Sequence, residues 1–125
     1  MMKGNDPAMA IVERHESSDR LLTLLVDVTD GDWTIGFEGG DWHTHGDLLD
    51  AWGCDGPPDA ATRRFVDDIL ASRREICVYL VNGRVADASV PSLHDDRPLH
   101  AAFAKYAAQK ETLEVRYWDG RPAAG

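Results

Sequence analysis

Residues 21–38 read LLTLLVDVTDGDWTIGFE, and this stretch decides the fold class. Leu22, Leu24, Val26 and Val28 alternate with Leu21, Thr23, Leu25 and Asp27, the period of two that a strand requires. Thr29-Asp30-Gly31-Asp32 supplies turn residues, and beyond them Trp33, Ile35 and Phe37 again share a face. Gly39-Gly40 makes a second break before residues 41–45, so the region is expected to form an antiparallel meander. Residues 10–15 fit an additional strand or a short helix equally.

Downstream the period changes. Ala61, Phe65, Val66, Ile69 and Leu70 fall on one stripe of a helix predicted over about 58–72, with Arg64, Asp67 and Asp68 outward. Pro57 and Pro58 suit a helix start, where a missing N–H costs little, and Asp59 favours the positive end of the helix dipole. Residues 75–81 are apolar on both faces, as in a central strand, and Asn82-Gly83 is a strong hairpin signal. A two-residue loop there would set Val81 opposite Arg84, Tyr79 opposite Ala86 and Cys77 opposite Ala88, with Pro91 ending the returning strand. A second helix is predicted over about 98–110, with Leu99, Phe103, Tyr106 and Ala107 toward the core. The last strand, 113–118, is read with Leu113, Val115 and Tyr117 on one face and Glu114, Arg116 and Trp118 on the outward one.

Hairpins dominate and only two helices are available. The expected class is α+β: a single domain over 1–125 in which a mostly antiparallel sheet of about five to seven strands packs on two α-helices. Residues 1–7 and 122–125 are expected to be loose ends. The chain of 125 residues suffices for one core. Its first residues hold no apolar stretch of signal-peptide length, and the longest apolar run, over 21–26, is far below the ~20 residues of a membrane span. A cytoplasmic location without membrane contact is therefore expected, with Cys54 and Cys77 as free thiols.

The formal charge is −9, from 22 Asp and Glu against 13 Lys and Arg. Such a field repels a phosphate backbone, and no Lys/Arg run offers a local basic patch, so nucleic acid is not an expected partner.

One segment concentrates side chains capable of chemistry: Asp41-Trp42-His43-Thr44-His45-Gly46-Asp47. If it is extended, Asp41, His43, His45 and Asp47 project from one face, and two imidazoles with a carboxylate could hold zinc as in a catalytic site with an open position. The alternative is an exposed polar face with Trp42 and Thr44 inward. His43-Thr44-His45 after Trp42 resembles the opening of the JAMM metalloprotease zinc motif, but Gly46 stands where that motif has Pro, Cys54 where it has Ser, and Pro57 where it has its zinc-binding Asp. A cupin reading fails for want of the Glu expected shortly after the histidines. Cys54, flanked by Asp55, is disfavoured as a nucleophilic thiolate, and no P-loop or dinucleotide fingerprint is present.

The leading expectation is a small acidic protein that binds a basic macromolecular partner without catalysis, similar to immunity proteins in size and charge alone. The tryptophans fit core positions first; if Trp52 and Trp118 are exposed instead, they and Asp55 are the candidate contact residues, because aromatic rings dominate interface hot spots. The second expectation is a metal-binding protein or metal-dependent hydrolase centred on His43 and His45. Pairing of the 113–118 strand across a two-fold would allow a homodimer.

Overall fold

A computed structural model describes residues 10–93 and 111–123. The chain runs β1 (Ala10–Glu16), β2 (Thr23–Thr29), β3 (Asp32–Phe37), β4 (His43–His45), a 3₁₀ helix (Gly46–Trp52), α1 (Pro58–Leu70), β5 (Ile76–Val81), β6 (Arg84–Ser89) and β7 (Glu111–Arg116). The strands form two antiparallel sheets, one ordered β1-β2-β3-β4 and the other β6-β5-β7. The α+β class holds, with the strands divided between two sheets instead of gathered in one. The helix predicted over 98–110 lies outside the described residues, and among those residues no helix is long and apolar enough to cross a membrane.

The meander forms where the alternation places it, with Asp30 and Gly31 turning the β2–β3 hairpin at positive φ (51° and 80°). Leu24, Val26, Ile35 and Phe37 go inward, and residues 10–16 join as a strand along β2. Helix α1 covers this inner face with Ala61, Phe65, Val66 and Ile69, while Ile76, Val78, Ala88 and Val90 close the core from the second sheet. At the β1 edge, Glu13 pairs with Arg63 of α1 and accepts from His15 Nε2 at 2.8 Å.

Two register expectations need correction. Val81 faces Arg84 across Asn82-Gly83, but a bulge between Tyr79 and Leu80 sets Tyr79 opposite Asp87 and Cys77 opposite Ser89. The extra residue on β6 delivers the Asp87 carboxylate to the amides of Ala88 (2.8 Å) and Trp42 (3.3 Å), which ties the second sheet to the start of β4. The second concerns β7, which ends at Arg116: Glu114 is exposed as expected, but Arg116 and Trp118, read on the same outward face, are buried. Trp118 is 9% exposed and belongs to the core. Arg116, with a side chain only 4% exposed, reaches Asp19 at 2.6 Å. Nor is the segment after it loose through Ala123: Pro122 bridges Arg116, and Ala123 N–H donates to the Val115 carbonyl. This return covers part of the β7 edge that a two-fold pairing would use.

Burial pushes the Asp19 carboxyl up, but hydrogen bonds from Ser17 and the Leu21 amide, and then the Arg116 guanidinium, outweigh it and hold the group below its ordinary value of 3.8. Folding therefore favours the ionised form, so the contribution is complete above that ordinary value and is lost as pH falls through the lowered one. Asp19→Asn should cost about 1–2 kcal/mol at neutral pH, the lower part of the range for charged hydrogen bonds because the carboxylate is partly exposed. Urea unfolding of both proteins should show this gap closing below pH 3.8; a gap that stays constant into acid would contradict the pairing.

Candidate functional site

The short strand β4 carries the site. Its register, Thr34 opposite His45, Ile35 opposite Thr44 and Gly36 opposite His43, sends Thr44 and Ile35 into the core and leaves Thr34, Gly36, His43 and His45 on the outer face. A Cβ on Gly36 would lie 3.0 Å from the Trp42 carbonyl oxygen and 3.2 Å from His43 Cβ, so the strands approach this closely because the residue is glycine.

The two imidazoles meet edge to face, with ring centroids 5.1 Å apart and planes at 87°. His43 Nδ1 lies 3.2 Å from the Asp41 carbonyl oxygen. His45 Nδ1 lies 3.2 Å from Asp32 Oδ1 and 3.3 Å from Thr34 Oγ1. A carbonyl and a carboxylate only accept, so each Nδ1 carries the proton. Both rings thus take the tautomer whose Nε2 lone pair is unprotonated in the neutral form.

The extended run stops at His45, because the 3₁₀ helix begins at Gly46. Asp41 therefore contributes its backbone carbonyl, and Asp47, on the 3₁₀ helix, lines a groove that His45 also borders. Among the described residues no three His, Cys, Asp or Glu side chains are grouped to hold a metal ion. The carboxylate that does reach the pair is Asp32, which the sequence reading missed. Its signal was the hairpin register, since Asp32 and Thr34 are two apart on the outer face and Thr34 faces His45.

The groove beside the pair has a volume of about 530 Å³. Trp33, Leu48 and Pro58 give it apolar walls, and Asp30, Asp32 and Asp47 give it acidic ones. Leu48 is half exposed, a rare state here for a large apolar side chain. Gly46, at the start of the 3₁₀ helix, is buried against the start of α1, where an added Cβ would lie 2.8 Å from Thr62 Oγ1 and 3.0 Å from the Pro58 carbonyl oxygen.

The other expected contact residues are distributed differently. Trp52 is half-buried, and its indole N–H donates to the Val90 carbonyl at 2.9 Å, so its polar end faces inward. Trp118, being buried, cannot serve as an exposed anchor. Asp55 is exposed, and its carbonyl accepts from Arg64. Both cysteines are free thiols. Cys54 is buried beneath Arg74, whose Nη2 lies 3.3 Å from its sulfur, and burial followed by the Glu75 charge pushes the Cys77 thiol up. Neither is presented as a nucleophile. The chain matches no protein-family model, no curated protein and no solved structure.

Gly46→Ala should destabilise the protein by about 1–3 kcal/mol, because the contacts it would crowd include backbone as well as side chain. Chemical denaturation would register this as a lower midpoint at unchanged slope; an unaltered midpoint would show that the contacts around Gly46 yield freely.

Proposed function

We propose that this protein is a non-catalytic binding module for a basic protein partner, and that the groove between the Asp30-Gly31 turn and the Asp47-Leu48 segment is its principal contact. The supporting observation is the pairing of chemistries in that groove, where Trp33, Leu48 and Pro58 suit an aliphatic stem and Asp30, Asp32 and Asp47 suit the cationic head that follows it. An arginine or lysine side chain has that shape. The net charge of −9 adds long-range attraction for a basic partner and repels nucleic acid. Two thiols free of disulfide fit a cytoplasmic setting for this work.

An arginine-rich peptide serves as a probe. Its association rate with the wild-type protein should fall steeply with added salt, and Asp30→Lys with Asp47→Lys should slow association several-fold while leaving dissociation less affected. Stopped-flow fluorescence measures both rates. Association that is indifferent to salt and to these charge reversals would overturn the reading, and so would equal slowing by Asp55→Lys, which lies outside the groove.

A further inference from the structure

Going beyond the partner groove, we propose that His43 and His45 form a two-histidine chelate for a late first-row divalent cation, of which Cu²⁺ should bind most tightly and Ni²⁺ and Zn²⁺ less so.

Alternate residues on a strand project from one face about 6.6 Å apart along the chain, and here the rings lean together until their centroids are 5.1 Å apart. Each ring is oriented from behind by an oxygen acceptor at Nδ1, the Asp41 carbonyl for His43 and the Asp32 carboxylate for His45. That is the outer-shell arrangement of metal-ligating histidines, in which the bonded N–H fixes both the tautomer and the ring direction and leaves Nε2 as the donor. Thr34 Oγ1 gives His45 a second constraint.

The remaining surroundings suit a hydrated ion. Next to His43 is a depression of about 270 Å³, lined in part by Leu25, Asp27, Gly36 and Trp42, and kept open because Gly36 lacks a side chain. Water can occupy the coordination positions the protein leaves there. Asp32 supplies a negative charge behind His45 without being a direct ligand, and imidazole donors select the later divalent metals over Mg²⁺ or Ca²⁺. His15 provides an internal contrast, since its Nε2 is already engaged by Glu13 at 2.8 Å.

Isothermal titration of the untagged protein with Cu²⁺, paired with electron paramagnetic resonance of the complex, tests the assignment. The expected result is one ion per chain with nitrogen hyperfine structure from two imidazoles. His43→Gln and His45→Gln should each weaken binding by at least about tenfold, and Asp32→Asn by about tenfold through loss of the outer-shell charge. His15→Gln should leave affinity unchanged. Circular dichroism would establish that each variant is folded, which exposed substitutions on the outer face should allow. Absence of binding by the wild-type protein, retention of affinity in the folded His43→Gln/His45→Gln double variant, or equal loss in His15→Gln would each overturn the proposal. His45 and Asp32 also border the groove, but Asp30→Lys with Asp47→Lys replaces no proposed ligand and His43→Gln replaces no groove residue, so the two readings can fail separately.

Discussion

Trp52 is the contact on which the rest of the structure depends. Its indole N–H reaches the Val90 carbonyl just beyond β6, its ring stands edge-on to Phe65 of α1 at 5.5 Å and to Trp42 at 6.3 Å, and Trp42 leans on Phe37 of β3 at 6.0 Å. The Trp52 carbonyl accepts from Arg74 at 2.7 Å, and that guanidinium lies 5.2 Å over the Phe65 ring. One residue at the end of a 3₁₀ helix thus packs on α1 directly and reaches the segments that flank both sheets, Trp42 just before β4 and Val90 just after β6. Aromatic pairs of this kind contribute about 0.5–1.5 kcal/mol each beyond their buried area, and an inward N–H left without an acceptor costs about 1–3 kcal/mol. Ring packing and hydrogen bonding must therefore be satisfied together, which fixes the path of residues 42–52.

That path sets the functional surface. With Trp42 and Trp52 held inward, β4 can extend over only His43–His45 before the chain coils, so the histidines face outward while Asp47 and Leu48 swing round to the groove. The bulge in the β5–β6 hairpin acts toward the same end, because it brings the Asp87 carboxylate to the Trp42 amide. A continuous ladder would have placed Ala86 at that register position. The outer face of the first sheet and the acidic groove are consequently consequences of how the core closes, and neither adds a separate folding requirement.

Much of the architecture was legible because periodicity is a local property. Leu22 to Val28, Trp33 to Phe37, the stripe from Ala61 to Leu70 and Asn82-Gly83 each declare their element within a few residues. What escaped was non-local. Alternation over 113–118 separates two faces, but only contacts with distant residues such as Asp19 bury Arg116 beside Trp118. Cross-strand register at a bulge depends on tertiary contacts and has no short-range signal in Tyr79 or Leu80. For the site, spacing identified His43 and His45 correctly as neighbours on one face, whereas the carboxylate beside them came from another strand. The contact role considered for Trp52 and Trp118 does not fit their burial, which depends on tertiary neighbours such as the Val90 carbonyl and has no signal in the local sequence.

The account's central claim is that both sheets and α1 are one cooperative unit fastened at Trp52. Native-state hydrogen exchange of wild type and Trp52→Phe tests it most directly, since phenylalanine keeps a ring but cannot donate to Val90. Amides in β3, α1 and β5 should share one opening free energy, and the substitution should lower all three together by about 1–3 kcal/mol. If β5 opens independently of β3, or if the loss is confined to one layer, Trp52 does not hold the fold together and the positioning of β4 requires another cause.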